Sequence, residues 1–281
     1  METLSFRLDS CLILFFILIN YPEISPIALE IGPLQVRWYG LMYLGGFLIG
    51  WLGFRSRSRK SYTTINLDMV DDLIFFIALG VIIGGRLGYL LFYSFSSVLA
   101  DPLIIFRVWE GGMSFHGGLI GVSIAMIYFA KKINQPILSV SDFVSPWVAP
   151  GLGLGRIGNF INGELWGSPT SADSFWAVNV EGTARHASQI YEAFLEGLIL
   201  FVILWLFSSN PRPLGAITGA FLFFYGIFRV IIEFVRLPDF HMNPATGGYL
   251  AFGWVTMGQV LSLPMILAGI LLFLFAYKQK G

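Results

Sequence analysis

Seven long apolar stretches constrain what this chain can fold into more than any other feature. They lie at about 36–54, 70–94, 113–130, 142–161, 189–207, 214–235 and 255–277. A helix needs roughly 20 predominantly apolar residues to cross a bilayer. Only 12% of the residues are charged, against about 25% in soluble domains. We therefore predict an all-α polytopic membrane protein with seven transmembrane helices.

The N-terminal segment differs from these spans. Residues 11–19 are apolar but too short to cross a bilayer easily. Arg7 is followed by Asp9, and no clear small-residue cleavage site follows, which argues against a secretory signal peptide. We interpret residues 1–20 as an N-terminal appendage that need not belong to the native start, and residues 21–281 as a single seven-helix domain.

The basic residues are distributed unequally between the two sides of a seven-pass topology. Nine of the 17 Lys and Arg residues fall on one side: Arg55, Arg57, Arg59, Lys60, Lys131, Lys132, Arg212, Lys278 and Lys280. The other side carries Arg7, Arg37, Arg107, Arg185 and Arg236, spread over longer segments. The positive-inside rule then puts the N-terminus outside and the C-terminus in the cytoplasm. The longest segment between spans, about 162–188, becomes a small cap on the outer side.

Three arginines lie within or at the end of predicted spans: Arg86, Arg156 and Arg229. Their spans all run from inside to outside, and each arginine falls in the outer half. Ionisable groups at such depths are costly and mark functional sites by default. Their similar depth predicts one shared polar site near the outer leaflet.

The stretch from Gly151 to Gly167 concentrates polar residues at the end of an apolar span. It places Arg156, Asn159, Asn162 and Glu164 within nine positions. One asparagine would fit a hydrogen bond between two helices, but an arginine with two asparagines and a glutamate fits that role less well. Arginine offers a planar fork of donors suited to phosphate. We interpret the stretch as a site for the polar end of a lipid.

The sixth span carries a second polar stripe. Tyr225, Arg229 and Glu233 are spaced i, i+4 and i+8, so they share one face of a helix. The pattern is typical of an intramembrane ion pair that anchors a neighbouring helix. It is equally typical of an anion site whose arginine is oriented by the glutamate, and the residues alone leave both open.

His116 begins the third span among glycines and Ser114. Histidine is the side chain whose unperturbed pKa allows ready proton exchange near neutral pH. A structural hydrogen bond and a catalytic role both fit this position. His186 is interpreted as a helix-start or cap residue. The three histidines are dispersed, with no metal-ligand spacing, so no metal site is predicted.

Two smaller features complete the pattern. Tyr39 begins the first span on the outer face, from which it could reach the polar site. Asp142 follows Ser141 at the start of the fourth span and resembles an N-cap.

Together these residues predict an outer-leaflet site for an amphiphile with a phosphate head. An enzyme acting on phospholipid fits, and so does a membrane carrier for an organic anion or lipid. Transporters often contain internal repeats and broken helices in corresponding halves. We find neither in this sequence, which favours the enzyme.

The long motifs also resemble those of the bacterial phosphatidylglycerol–prolipoprotein diacylglyceryl transferases. The similarity covers GRIGNFINGELWG (155–167), RWYGLMYLGGF (37–47), GGRLGYLLFY (84–93), DPLIIFRVWEGGMSFHGGLIG (101–121), RHASQIYE (185–192), YGIFRVIIEFVR (225–236) and MGQVLSLPMI (257–266). It runs from about residue 22 to the C-terminus in the same order. The extra N-terminal residues and a short outer cap depart from the family's pattern.

The resemblance implies transfer of the diacylglyceryl group of phosphatidylglycerol to the lipobox cysteine thiol of an exported prolipoprotein. A thioether forms and glycerol 1-phosphate leaves. The implied partners are phosphatidylglycerol, the prolipoprotein signal peptide and the bilayer, without nucleic acid. No cofactor is implied. The implied location is the bacterial inner membrane, with a multi-pass chain whose active site faces the periplasmic leaflet.

This chemistry leads to a hypothesis for each candidate residue. Arg156 and Arg229 stabilise the phosphate leaving group, and His116 is the candidate base for the thiol. A field of arginines could also lower the thiol pKa without a base. Asn159 and Asn162 position the head group, and Glu164 and Glu233 orient the arginines. Tyr225 and Tyr39 are hydrogen-bonding partners. Arg86 is either a further lipid contact or a structural tie.

Overall fold

The computed structural model describes residues 19–32, 34–174, 177–238 and 243–278, and helices dominate them. The helices are α1 (Trp38–Ser58), α2 (Leu67–Tyr93), α3 (Phe95–Ala100), α4 (Phe115–Lys132), α5 (Ile137–Ile161), α6 (Ser188–Glu192), α7 (Leu200–Phe207), α8 (Ala216–Glu233) and α9 (Met257–Lys278). A π-helical segment, Ala193–Ile199, joins α6 to α7 in one continuous span. Short 3-10 turns lie at Pro102–Phe106, Val108–Glu110 and Pro244–Thr246.

Every predicted span coincides with a long helix. Five are long and apolar enough to cross a membrane: α2, α5, Ser188–Phe207, α8 and α9. The prediction of a mostly helical membrane protein is thus confirmed. Helices α1 and α4 fall outside this set, and α4 is short with His116 near one end and Lys131 and Lys132 at the other. Seven spans and the orientation of the termini therefore stay predictions.

The helices pack mainly in three pairs: α2 with α4, α1 with α5, and α8 with α9. Glycines permit the closest of these approaches. A Cβ added at Gly88 in α2 would lie 2.6 Å from the Cα of Gly117 in α4. Small residues of this kind let helix backbones touch inside a membrane.

Two buried apolar clusters hold the bundle together. One joins α1, α2, α4 and α5 through side chains that include Phe54, Leu73, Phe129 and Phe143. The other joins α5, α7 and α8 around Ala149, Leu200, Leu204 and Ala220. Many large apolar side chains face outward, as on the lipid-exposed surface of a membrane bundle.

Short strands lie outside the long helices, and the helical pattern of the sequence does not reveal them. β1 (Ile19–Asn20) pairs in parallel with β4 (Ala177–Val180), and β5 (Thr183–His186) pairs antiparallel with β4. β2 (Ile27–Ile31) and β3 (Leu34–Arg37) form a separate antiparallel pair. β1 ends the stretch interpreted above as an appendage, and residues 1–18 lie outside the described residues.

Asp142 is not the N-cap of the fourth span, which corrects the sequence-based prediction. Helix α5 begins at Ile137, and Pro136 occupies the cap position. Asp142 instead accepts backbone hydrogen bonds from Gly215 (2.7 Å) and Thr218 (2.8 Å) at the start of α8. The first N–H groups of a helix lack intrahelical partners, so a carboxylate from a neighbouring helix can satisfy them.

Candidate functional site

The ends of α5, α6 and α8 converge on one polar cluster. Glycines set the distance between α5 and the π-helical segment, because a Cβ added at Gly197 would lie 2.7 Å from the Cα of Gly153. This close approach brings Glu192, the last residue of α6, beside Arg156 on α5. Single π-helical turns occur frequently at functional sites.

Glu192 is the centre of the cluster. It is fully buried, and three arginines surround its carboxylate. Arg156 Nε lies 2.7 Å from Oε2, Arg229 Nη1 lies 3.0 Å from Oε2, and Arg236 Nη1 lies 3.2 Å from Oε1. Buried charges are tolerated when they are paired and hydrogen-bonded, and this carboxylate pairs with arginines from two helix ends.

Glu233 provides a second buried anchor for the same arginines. Its Oε1 lies 2.5 Å from Arg229 Nη2 and 3.4 Å from Arg236 Nε. Thr256 Oγ1 donates to the other oxygen at 2.5 Å. Arg229 is therefore held between Glu192 and Glu233, which fixes the plane of its guanidinium.

Glu196 completes the acidic side of the cluster, one turn after Glu192. Its Oε1 lies 3.8 Å from Arg229 Nη1, which is within ion-pair range. Neither of its oxygens has a hydrogen-bond partner among the described residues. Glu196 thus lies near Arg229 but fixes no side chain in place.

The end of α5 turns back on itself to form the mouth of the cluster. Glu164 Oε1 accepts from Asn159 Nδ2 at 2.8 Å and from Asn162 Nδ2 at 3.3 Å. Gly163 and Leu165 both have positive φ, and these angles produce the turn. The buried Gln189 of α6 holds this turn in place, because its Nε2 donates to the Glu164 carbonyl at 2.5 Å.

Exposure increases from the centre of the cluster to its mouth. Glu192 is fully buried, the Arg156 side chain is 24% exposed, and Glu164 is exposed. Glu192 holds Arg156 through Nε, whereas Nη1 makes only a 3.5 Å contact with Asn159 Oδ1. The terminal nitrogens of Arg156 can therefore meet an anion arriving from outside.

Tyr225 and Tyr39 flank the cluster. Tyr225 lies one turn before Arg229 on α8, with its ring 5.8 Å from and nearly parallel to that of Phe221. Tyr39, at the start of α1, packs against the α5 backbone at Gly158, where an added Cβ would lie 2.8 Å from its ring. Both rings are half-buried. Their hydrogen bonding to a substrate stays a prediction.

Arg86 is not in contact with this cluster. It is buried, and its Nη2 donates to the carbonyls of Ile104 (2.6 Å) and Arg107 (2.8 Å). Its Nη1 donates to the carbonyl of Gly111. These contacts are those of a structural tie that secures the loop before α4. The structure thus joins Arg156 and Arg229 and adds Arg236, while Arg86 lies among different neighbours.

The ring contact of His116 is to Phe115 and not to an arginine of the cluster. His116 is exposed in the first turn of α4, with its ring 5.6 Å from that of Phe115. His186 ends β5, and its Nδ1 lies 3.2 Å from the Tyr191 hydroxyl. Burial lowers the pKa of His186, which favours a neutral imidazole in the cap.

Sequence reasoning missed Glu192, Glu196 and Arg236 as parts of the site. Two carboxylates spaced i, i+4 at the start of an apolar span were the available signal for the glutamates, because ionisable residues in spans are functional candidates. Arg236 follows Glu233 by one turn, but its place after the sixth span suggested a loop residue. Among the described residues, no group of His, Cys, Asp and Glu side chains could hold a metal ion.

Comparison with known proteins assigns these motifs to a family. The family model for prolipoprotein diacylglyceryl transferase matches residues 26–275. The chain is 54% identical over 266 residues to a protein of Oleidesulfovibrio alaskensis, covering 94% of this chain and 97% of that relative. It is 53% identical over 268 residues to one of Pseudomonas syringae, covering 93% and 97%. Both relatives are named phosphatidylglycerol–prolipoprotein diacylglyceryl transferase.

Proposed function

The chain belongs to the prolipoprotein diacylglyceryl transferase family, and on that premise we propose that it transfers a diacylglyceryl group from phosphatidylglycerol to a prolipoprotein. The acceptor is the thiol of the lipobox cysteine. The cysteine sulfur attacks the glyceryl carbon that bears the phosphate, a thioether forms, and the carbon–oxygen bond to the phosphate breaks. Glycerol 1-phosphate leaves with the bonding electron pair.

The observation that best supports this chemistry is the set of three arginines around Glu192. Negative charge accumulates on the phosphate oxygen as the carbon–oxygen bond breaks. Preorganised donors aimed at developing charge lower the barrier. Arg156 is the arginine whose terminal nitrogens can meet the phosphate, and Arg229 lies behind it on the same carboxylate. We assign leaving-group stabilisation to these two residues.

The carboxylates and amides hold that clamp in shape. Glu192 and Glu233 fix the arginine planes from the buried side. Glu164 fixes Asn159 and Asn162 at the mouth, where their remaining polar atoms can bind the glycerol head group. Tyr225 and Tyr39 border this space and serve as hydrogen-bonding side chains for the lipid.

We propose that His116 is the base that accepts the proton of the cysteine thiol. A free cysteine has a pKa of about 8.5, and the thiolate is the nucleophile. The exposed imidazole at the outer end of α4 is open to a peptide that approaches the cluster. The donor phospholipid and the peptide would then bridge the space between His116 and Arg156.

The pH profile of a His116→Ala variant tests this assignment. If the imidazole removes the thiol proton, transfer slows at neutral pH and the rate optimum moves to higher pH, where the free thiol ionises unaided. The measurement is initial transfer rate against pH for both proteins. Good activity with an unchanged profile would show that the arginine field alone activates the thiol.

We place the protein in the bacterial inner membrane with seven spans and the cluster towards the periplasmic leaflet. The five apolar helices support membrane insertion, and α1 and α4 complete the bundle. Residues 21–281 then form one catalytic domain, with the segment at about 162–188 as its periplasmic cap and residues 1–20 as an appendage. The basic ends of α1 and α4 lie towards the cytoplasm.

One assay tests the proposed function directly. The purified chain is incubated with labelled phosphatidylglycerol and a lipobox peptide. We expect a thioether-linked diacylglyceryl peptide together with an equal amount of glycerol phosphate, and no product from a peptide whose cysteine is replaced by serine. Anion flux in proteoliposomes without any thioether product would favour a carrier instead.

A further inference from the structure

A cavity of about 150 Å³ lies at the end of the bundle opposite the arginine cluster. It is lined by the last turn of α1, the start of α5 and the loop before α8. Asp142 in its wall precedes Arg156 by 14 positions in α5, which corresponds to about 21 Å along the helix axis. The cavity is far larger than the roughly 10–15 Å³ that one water needs.

Arg57 is a cation in this cavity without a matched acceptor. Its Nε is buried and has no hydrogen-bond partner among the described residues. Its guanidinium lies over the Phe143 ring at 5.9 Å. An unsatisfied buried donor is costly, and more so when it is charged. The side chain is therefore prepared for an anionic acceptor that the described chain does not supply.

The one carboxylate in the cavity wall is already engaged elsewhere. Asp142 accepts from the backbone of Gly215 and Thr218, and from Thr218 Oγ1 at 2.6 Å. These bonds fasten the start of α8 to α5. Asp142 thus has a structural task and provides no acceptor for the Arg57 Nε.

A second arginine faces the same space from the loop before α8. Arg212 Nε donates to the Phe207 carbonyl at 2.7 Å, and its guanidinium lies 4.3 Å from the Phe207 ring centroid. These contacts orient the side chain through Nε. Its terminal nitrogens, which carry four of the five guanidinium protons, remain for a ligand at this exposed side chain.

Neutral donors complete the wall. Thr64, Ser139 and Asn210 line the cavity with the two arginines. The Tyr62 hydroxyl donates to the carbonyls of Ser208 and Ser209, both at 3.0 Å, and so fixes the loop that carries Arg212. Arginine forks with hydroxyl and amide donors are the chemistry that recognises phosphate oxygens.

We propose that this cavity binds a phosphate group between Arg57 and Arg212. The group is either the head of an anionic phospholipid in the adjacent leaflet or a free phosphate. The neighbouring basic residues Arg55, Arg59 and Lys60 raise the local concentration of either source. The site is separate from the arginine cluster and does not depend on the transfer reaction.

The test uses the purified, delipidated full chain with two probes. Thermal unfolding in inorganic phosphate measures binding of the free ion, because a ligand that binds the folded state raises Tm. Native mass spectrometry after exposure to phosphatidic acid or phosphatidylcholine vesicles measures retention of an anionic head group. We expect Arg57→Gln to weaken binding about tenfold or more. The matched control Arg59→Gln removes an exposed cation outside the cavity. It should weaken binding far less than Arg57→Gln, because it removes one screened surface charge and no contact to the phosphate.

Each outcome decides between sources or overturns the site. A shift in Tm that Arg57→Gln removes, without retained lipid, assigns the cavity to free phosphate. Retained phosphatidic acid that Arg57→Gln removes, without a shift in Tm, assigns it to a lipid head group. Equal binding by the wild type and Arg57→Gln with both probes overturns the proposal. The proposal is also overturned if Arg156→Lys abolishes binding while Arg57→Gln leaves it intact. If Arg57→Gln does not fold, Arg212→Gln at the exposed loop gives the same comparison.

Discussion

Glu192 organises the site at the scale of single residues. It is the one described carboxylate that contacts Arg156, Arg229 and Arg236 together. The neighbouring Glu196 is equally buried but makes a single long ion pair. Two glutamates one turn apart thus have different tasks, because only Glu192 points its oxygens between the arginines.

Replacing Glu192 by glutamine should separate these tasks. Glu192→Gln keeps the size of the side chain but removes the charge that three arginines share. Breaking a buried ion pair costs about 3–5 kcal/mol, so we expect a large drop in the thermal unfolding temperature and loss of transfer. Glu196→Gln is the matched control and should change both much less. Equal losses in the two variants would contradict the central position of Glu192.

Arg156→Lys tests whether the guanidinium fork matters beyond its charge. Lysine keeps the positive charge but cannot keep the 2.7 Å Nε bond to Glu192 while presenting two further donors to a phosphate. We expect transfer to fall about 100- to 1000-fold, as for loss of one preorganised transition-state donor. The measurement is the initial rate with labelled phosphatidylglycerol, and Arg59→Lys serves as the exposed control. A wild-type rate in Arg156→Lys would remove the phosphate-clamp assignment.

At the scale of elements, the site depends on the contact between α5 and the π-helical segment. Gly153 and Gly197 let the two backbones touch. The contact holds the span that carries Glu192 close to the span that carries Arg156. Two prolines within α5, Pro146 and Pro150, precede this contact. The polar end of α5 is thus positioned by backbone packing as well as by ion pairs.

A methyl group at Gly197 should disturb the site from outside it. The added Cβ would lie 2.7 Å from the Cα of Gly153, so the helices must separate. Overpacking of this kind costs about 1–3 kcal/mol, and the separation should also weaken the Arg156–Glu192 pair and slow transfer. Gly151→Ala is the control, because its Cβ would meet nothing within 4 Å. Thermal unfolding and transfer assays on both variants check this, and a silent Gly197→Ala would contradict it.

At the scale of the whole molecule, the two ends of the bundle have opposite character. One end carries a buried cluster of arginines and glutamates beneath a small cap. The other carries exposed cations that include Arg59 and Lys60. This asymmetry predicts that the cap faces the periplasm, because cationic loops stay in the cytoplasm.

Thiol labelling can determine the orientation. Cys11 is the single cysteine of the sequence, so Cys11→Ser gives a cysteine-free background. In that background, Glu181→Cys in the turn between β4 and β5 should react with a membrane-impermeant maleimide in intact spheroplasts. Arg59→Cys at the end of α1 should react only after the membrane is permeabilised. Both positions are exposed, so accessibility within the fold does not limit the reaction. The reverse pattern would invert the topology.

Much of the fold follows from local sequence. Apolar length located all the long helices, and the glycines and polar residues of 151–167 marked the end of α5. The contacts of Asp142 could not be predicted from its neighbours in sequence, because its hydrogen-bond partners Gly215 and Thr218, at the start of α8, lie more than 70 positions away. The strand pairs could not be predicted either, since β1 and β4 are far apart in sequence and local hydrophobic periodicity does not indicate which strands pair.

The sequence by itself determined that this chain is a helical membrane protein with arginines at the ends of its spans, and its motifs determined the family. Only the tertiary structure decided which of those arginines act together. Arg86 and Arg156 look alike in sequence, yet one binds backbone carbonyls and the other binds Glu192. The physical reason is that a charge buried among apolar helices must find its partner in space. That partner is set by how the helices pack and not by the neighbouring residues in the chain.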